Sequence, residues 1–238
     1  MVIGGLQKFS TLDYTGYLSA IVFTQGCNFK CHFCYNPMLV WPLEDSKIRY
    51  KKSHSLVRED DFFAFLQTRK NKLDAVVITG GEPTMHHDLP EFIKKIKDLG
   101  FKIKLDTNGT NPEMLKKLLV QDLIDYFAMD FKAPLGKYQQ VVGVAVDFSK
   151  ILESVKIIMS SNISYEFRTT VVPGLISKDD IVPMAEIIKG ADKWFLQSFH
   201  SVHDLVDQSL KGARSYTEAE LEKMAELANG FVKECKVR

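Results

Sequence analysis

Three of the chain's four cysteines fall within eight positions, in the stretch "GCNFKCHFC": Cys27, Cys31 and Cys34. Their spacing, C-x3-C-x2-C, is tight and odd in number. Structural zinc takes four ligands and usually draws them from paired C-x2-C units. Zinc here would have to recruit His32 or the distant Cys235 as a fourth. A cubane iron–sulfur cluster contains four irons and is usually held by four thiolates. Three thiolates from one loop leave one iron without a protein ligand, and an open metal position is how a metal site admits a substrate or cofactor. The spacing therefore points to a 4Fe–4S cluster with one vacant iron, and Cys235, in "VKECKVR", reads as an ordinary thiol.

Further residues could do chemistry beside such a cluster. "TGGEPT" puts Gly80, Gly81 and Glu82 after an apolar run, and glycines there let a backbone come close to a ligand. Asp106, Thr107 and Asp130 stand at the ends of two other runs. Two carboxylates and a hydroxyl could hold a hard cation, or they could bond the backbone of their own loops. Spacing leaves both open. Lys132 follows Asp130 by two residues, so the two project from one face of an extended chain. It could bind a carboxylate or pair with Asp130.

Those residues need elements to position them. Short β-branched and aromatic runs at 17–24, 75–79, 102–107, 126–130, 166–172 and 194–199 read as strands. Helical spacing of apolar residues, with capping residues such as Asn111 and Thr217, fills the stretches between them. Six β–α units argue for a parallel sheet with right-handed crossovers. A full eight-fold barrel would need two more units, and no Gly-x-Gly-x-x-Gly follows the first strand, which weakens a dinucleotide-binding open sheet. The expected fold is α/β, an incomplete TIM-type (β/α)6 barrel. A single domain over 1–238 is expected: an N-terminal extension at 1–16, the barrel core at 17–200, and a C-terminal loop and helix at 201–238. Residues 38–57 read as a polar surface excursion. In parallel α/β folds ligands bind at the carboxyl ends of the strands, and the unusual residues gather there in all six units.

Composition limits the function classes. Among 238 residues, 31 Lys and Arg balance 30 Asp and Glu, so charge gives no argument for nucleic acid or an anionic membrane. No apolar run approaches membrane-spanning length, and "MVIGGLQKFS" lacks a signal-peptide pattern. Clustered cysteines without an export signal suit metal or redox chemistry in a reducing cytoplasm.

The motifs together resemble those of the radical S-adenosylmethionine (SAM) enzymes, and within them the glycyl-radical-enzyme activases. The resemblance rests on "GGLQKFSTLDYTGYLSAIVFTQGCNFKC", "VVITGGEPT", "KLDTNGTNPEML", "YFAMDFKAP" and "TTVVPGL". The longer type of anaerobic ribonucleotide reductase activating protein, similar to pyruvate formate-lyase activating enzyme, is the nearest likeness. It implies that Cys27, Cys31 and Cys34 hold a 4Fe–4S cluster whose vacant iron is chelated by S-adenosylmethionine. Phe33 is implied to lie by the adenine. Gly80, Gly81 and Glu82 are implied to bind the methionyl amino group, and Asp130 and Lys132 its amino and carboxylate ends. Asp106, Thr107 and Asp130 resemble a monovalent-cation site, while Arg168 and His200 match positions near the cofactor.

The activity implied is reductive cleavage of S-adenosylmethionine to a 5′-deoxyadenosyl radical, which abstracts an Hα from a glycine of a partner enzyme. The partner expected is an anaerobic ribonucleotide reductase, with flavodoxin or ferredoxin as electron donor. Tyr35–Thr79 contains no cysteine, which favours the small, single-cluster activases. The alternatives are action on a pyruvate formate-lyase type enzyme or on a small molecule and, in another class, a non-catalytic metal-binding or electron-transfer module. Two positions depart from the pattern: Tyr35 stands where the family usually has His, and Thr15 where close relatives have Pro.

Overall fold

A computed structural model describes residues 1–41, 45, 55–202 and 204–238. It contains one eight-stranded sheet in sequential order: β1 (Ile3–Ser10), β2 (Ser19–Thr24), β3 (Ala75–Gly80), β4 (Lys102–Thr107), β5 (Tyr126–Asp130), β6 (Ser164–Val171), β7 (Trp194–Ser198) and β8 (Cys235–Val237). The six expected strands are β2–β7, and all pair in parallel. Two more strands extend the expected core. Within 1–16, β1 pairs antiparallel with β2, and within 201–238, β8 pairs parallel with β7. Most of the 38–57 excursion lies outside the described residues; its first part is a short helix, α1 (Pro37–Val40).

The helices follow from sequence. α2 is Glu59–Gln67. In α3 (Leu89–Asp98), Leu89, Phe92, Ile93 and Ile96 form the buried stripe. α4 (Pro112–Val120) starts with Pro112 behind Asn111, whose Oδ1 accepts from Met114 N at 3.2 Å. After α5 (Tyr138–Val142), Asp147 caps α6 (Phe148–Ser160). Capping boxes open α7 (Lys178–Ile187) at Ser177 and α8 (Glu218–Ala228) at Thr217. The exchange of Pro for Thr15 leaves its turn intact. Tyr17 N donates to Tyr14 O at 3.0 Å, and Gly16 supplies the φ of +85° that the turn's third position requires.

The sheet is curled. Asp13, before β2, and Arg238, after β8, line the same cavity. In a flat sheet the outermost of eight strands would stand roughly 34 Å apart. Residues at both edges can share a cavity only where the sheet closes most of the way round, as an incomplete barrel does. Strand residues alternate between its two faces. Val76, Ile78, Ile103, Leu105, Phe127 and Phe167 join the large core beneath the helices. The other face holds a small apolar floor of Tyr14, Ile21, Ala75 and Val77, and beyond it are charges.

Those charges join the two edges. Lys104 Nζ donates to Asp13 O at 2.6 Å and to Glu166 Oε1 at 3.4 Å, and Arg238 donates to Glu166 Oε1 at 3.1 Å. Tyr126 OH donates to Glu166 Oε2 at 3.0 Å. Burial alone would raise the Glu166 pKa; Lys104, Arg168 and Arg238 outweigh it, so the group lies below its usual range. Replacing Glu166 by Leu leaves two cations without their shared anion. Removing one member of a buried pair costs about 3–5 kcal/mol, so Glu166→Leu is expected to lower stability by that order in anaerobic urea unfolding. A loss below about 1 kcal/mol would show the bridge to be dispensable.

Candidate active site

One cavity of about 460 Å³ opens at the carboxyl ends of the strands, and all thirteen residues singled out from the sequence line it. Cys27, Cys31, Phe33 and Cys34 come from the loop after β2, and Gly80, Gly81 and Glu82 from the end of β3 and its turn. Asp106 and Thr107 end β4, Asp130 ends β5 with Lys132 just past it, Arg168 lies on β6, and His200 follows β7.

The cysteine loop is fixed by backbone bonds on several sides. Gly26 N donates to Leu39 O at 2.8 Å, Cys27 N to Val40 O at 3.0 Å and Lys30 N to Val142 O at 2.9 Å. Glu82 N donates to Gly26 O at 2.8 Å, joining the loop to the β3 turn. That approach requires glycine: a Cβ on Gly81 would sit 1.9 Å from Gly26 O, and one on Gly80, whose φ is +119°, 2.2 Å from Thr24 N.

Burial pushes all three thiols up. Cys31 rises to about 12 despite the opposing pull of Lys132, and the Glu82 charge adds to the effect on Cys27. Such thiols give up their protons to a bound metal. Among the described residues no three His, Cys, Asp or Glu stand in the arrangement of a single-ion site. A cubane sets its thiolates on separate irons. Three thiols from one loop, a cavity within the usual ligand-site range of about 300–1,000 Å³, and two glycines against the loop fit a cluster with a small cofactor beside it.

Glu82 is held by four donors from the protein. Its Oε1 accepts from Thr84 N at 3.0 Å, Thr84 Oγ1 at 2.5 Å and Thr107 Oγ1 at 2.8 Å, and its Oε2 from Asn108 N at 2.6 Å. Burial still raises its pKa, against those donors. The side chain therefore fastens the β3 turn to the end of β4.

Asp106 and Asp130 are bridged by a guanidinium. Arg168 Nε donates to Asp130 Oδ1 at 2.9 Å and its Nη1 to Asp106 Oδ2 at 3.1 Å, while Lys132 Nζ donates to Asp130 Oδ2 at 2.9 Å. Thr107 turns its hydroxyl to Glu82 instead. Of the two readings left open by the sequence, the structure contains neither: both carboxylates are held by side-chain cations from β6 and from just past β5, not by the backbone of their own loops, while one Asp106 oxygen, Oδ1, is buried without a hydrogen-bond partner. Lys132 Nζ also stands 5.9 Å from the centre of the Phe33 ring.

Tyr35 links the cysteine loop to β7: its phenol oxygen accepts from His200 N at 2.8 Å and its ring stacks on Phe199 with centroids 6.3 Å apart. His32 adds a second tie, with its carbonyl accepting from Asp207 N at 2.9 Å and Nδ1 lying 3.2 Å from Asp207 Oδ2. The sequence reading missed this brace, and it missed Asp13, Thr170, Gln197 and Arg238, which also line the cavity. A period-2 reading of β6 and β7 would have put Thr170 and Gln197 on the same face as Arg168.

With this geometry established, comparison with known proteins identifies the class. The chain matches the Radical SAM superfamily over residues 21–188 and belongs to that family. It is 34% identical to a Methanocaldococcus jannaschii protein over 243 residues, covering 100% of this chain and 95% of the relative. That relative bears the provisional name glycyl-radical enzyme activating enzyme. A second M. jannaschii protein with the same provisional name is 29% identical over 196 residues, covering 80% of this chain and 70% of the relative. The fold resembles Streptococcus suis SuiB bound to its precursor peptide SuiA, with a TM-score of 0.68 and 16% identity over 92% of this chain. This chain covers 48% of SuiB, about half its length.

Two measurements test the geometry. Burial would raise the pKa of Asp130, but Arg168 and Lys132 outweigh it and lower it from 3.8 to about 2. A carboxylate whose pKa is depressed by folding stabilises the folded state above its unfolded pKa, and that contribution is lost as pH falls through the folded value. Stability should therefore fall from about pH 4 toward pH 2, and Asp130→Asn should flatten the decline in acid titrations of the unfolding midpoint. Equal slopes would contradict the pairing. Tyr35→Phe keeps the stack and removes the acceptor, at about 0.5–1.5 kcal/mol. Amide exchange at residue 200 should quicken in that variant, and unchanged protection would place the tie elsewhere.

Proposed function

We propose that this radical SAM enzyme activates a glycyl radical enzyme, with an anaerobic ribonucleotide reductase as the favoured partner. The observation that carries the reading is the full-length similarity to a relative with that provisional name. An open-sided cavity with the cysteine loop at its mouth supports it, since only the partner's glycine segment has to enter. The cytoplasm, with flavodoxin or ferredoxin as electron source, belongs to the same proposal. No described helix is long and apolar enough to cross a membrane.

Cys27, Cys31 and Cys34 would hold the 4Fe–4S cluster, and Gly80, Gly81, Glu82 and Lys132 would receive S-adenosylmethionine beside it. Cluster and cofactor together supply one-electron cleavage of a sulfonium and the hydrogen-atom abstraction that follows. The remaining work belongs to the chain. Lys132 offers a cation to a carboxylate, and Asp130 and Arg168 fix its position. Phe33 presents an apolar ring for a base, and with Phe29, also buried, it keeps that wall of the cavity apolar. No side-chain acid or base is needed. His200 is held through its backbone to Tyr35, beside the rim.

Anaerobic reconstitution tests the reading. About four irons per chain are expected, with 5′-deoxyadenosine formed in the presence of the partner enzyme. Formation should fall when the partner's reactive glycine is changed to alanine, and Cys31→Ala should abolish it. Zinc in place of iron would support the non-catalytic alternative, and sustained turnover without a protein partner would favour a small-molecule substrate.

A further inference from the structure

The cavity has a second polar end, away from the cysteines. The interior charges form one alternating series. Lys132 stands 2.9 Å from Asp130, Asp130 2.9 Å from Arg168, and Arg168 3.1 Å from Asp106. Asp106 stands 3.9 Å from Lys104, Lys104 3.4 Å from Glu166, and Glu166 3.1 Å from Arg238. Four cationic side chains thus alternate with three anionic ones, and both ends are cations. Each inner member has oppositely charged neighbours on two sides, and Lys104 and Glu166 are only 4% and 3% exposed at their side chains. Lys132 closes the series at the cysteine end. Arg238 closes it at the other, with one carboxylate neighbour and a side chain 38% exposed.

Arg238 is held rigidly and is not used up. Its guanidinium carbon lies 3.8 Å from the centre of the Phe195 ring. Two of its nitrogens donate to Glu166, at 3.1 and 3.5 Å. A guanidinium carries five N–H donors in a planar fork, so donors remain on its exposed side. The location matters as much. Arg238 follows β8, an edge strand whose outer side has no strand partner among the described residues. Asp13 lines the same cavity from the opposite edge of the sheet. The gap between these edges is the opening in the barrel wall, and Arg238 stands at its β8 lip.

The geometry points to Arg238 as a specificity-determining residue that binds a carboxylate-bearing side chain of an extended polypeptide segment entering beside β8. A preorganised cationic fork with donors to spare suits a carboxylate better than a neutral or basic group. This inference rests on the activase reading, because it takes the substrate to be a polypeptide containing the reactive glycine.

The test uses the full chain, reconstituted anaerobically, and labelled peptides centred on an α-deuterated glycine. One Asp is scanned through the flanking positions, and each peptide is matched by Asn and Lys versions. Fluorescence anisotropy should show tighter binding of Asp over Asn by about tenfold at one flanking position, with Lys weakest and the preference shrinking in high salt. Arg238→Gln should abolish the preference and Arg238→Lys should retain part of it. No preference at any position, including no binding of any peptide, overturns the inference, as does a full preference in a folded Arg238→Gln protein. Where that variant misfolds, the wild-type series decides. Deuterium transfer from glycine to 5′-deoxyadenosine reports the activase reading separately, so its absence alongside a clear Asp preference would sink that reading and leave the Arg238 site standing.

Discussion

Arg168 bonds Asp106 on one side and Asp130 on the other, and much of the structure is arranged so that this can happen inside a barrel. Each such charge costs several kcal/mol to remove from water, and only good geometry with opposite charges recovers it. The three groups come from β4, β5 and β6, so the pairing demands a fixed register across three strands. Asp130 sits opposite Arg168 in that register, and Asp106 opposite Ala128, whose small side chain leaves the guanidinium room to reach over β5. A one-residue slip of any strand would turn its charge toward the helices and bring an apolar residue inward. The ionic series therefore specifies the sheet as well as lining the cavity. It also substitutes for closure: β1 and β8 do not pair, and Lys104 with Glu166 spans between Asp13 and Arg238.

At the rim the constraint is different. On the proposed function, a loop that carries three metal-binding thiols must stay in one shape while the thiols change partners. Here main-chain hydrogen bonds do this, from α1, from α5 and from the turn after β3. Gly81 is the tightest point, where the turn and the loop are in backbone contact. Glu82 then passes the fixed position on to β4 through Thr107 and Asn108. Cysteine loop, turn and strand end are thus tied into one hydrogen-bonded unit, a preformed surface for a cofactor laid across them.

The sequence made the parallel core legible because most of its strands are apolar runs or alternations bounded by Gly, Asp and Pro. β3, "AVVITG", is buried on both faces for most of its length and reads continuously. β1 was missed because Gly4 and Gly5 weaken its strand signal and the consecutive exposed residues Gln7, Lys8 and Phe9 break its alternation. β8 has three residues, too few for a period. At the site, motif residues with a chemical type of their own were readable: cysteines, paired glycines, carboxylates at strand ends. Lys104 and Glu166 were not. A charge alternating with apolar residues in a strand ordinarily marks a solvent face, and nothing local reveals that this face curls inward. Long-range closure decides it, and closure is a property of all eight strands.

Tyr35 shows how a departure from pattern can be absorbed. It stands next to Cys34, in the loop that carries three of the thiols. Its ring lies nearly parallel to that of Phe199, at 14°, and its hydroxyl oxygen reaches the backbone N–H of His200. Histidine is shorter and would bring a ring nitrogen less far; a phenol extends the arm by one ring position and ends in an oxygen that can accept. Burial raises the Tyr35 pKa, partly offset by the His200 N–H, so the hydroxyl stays protonated and neutral beside the thiols. The position has thus been used for a mechanical tie that adds no charge near Cys34.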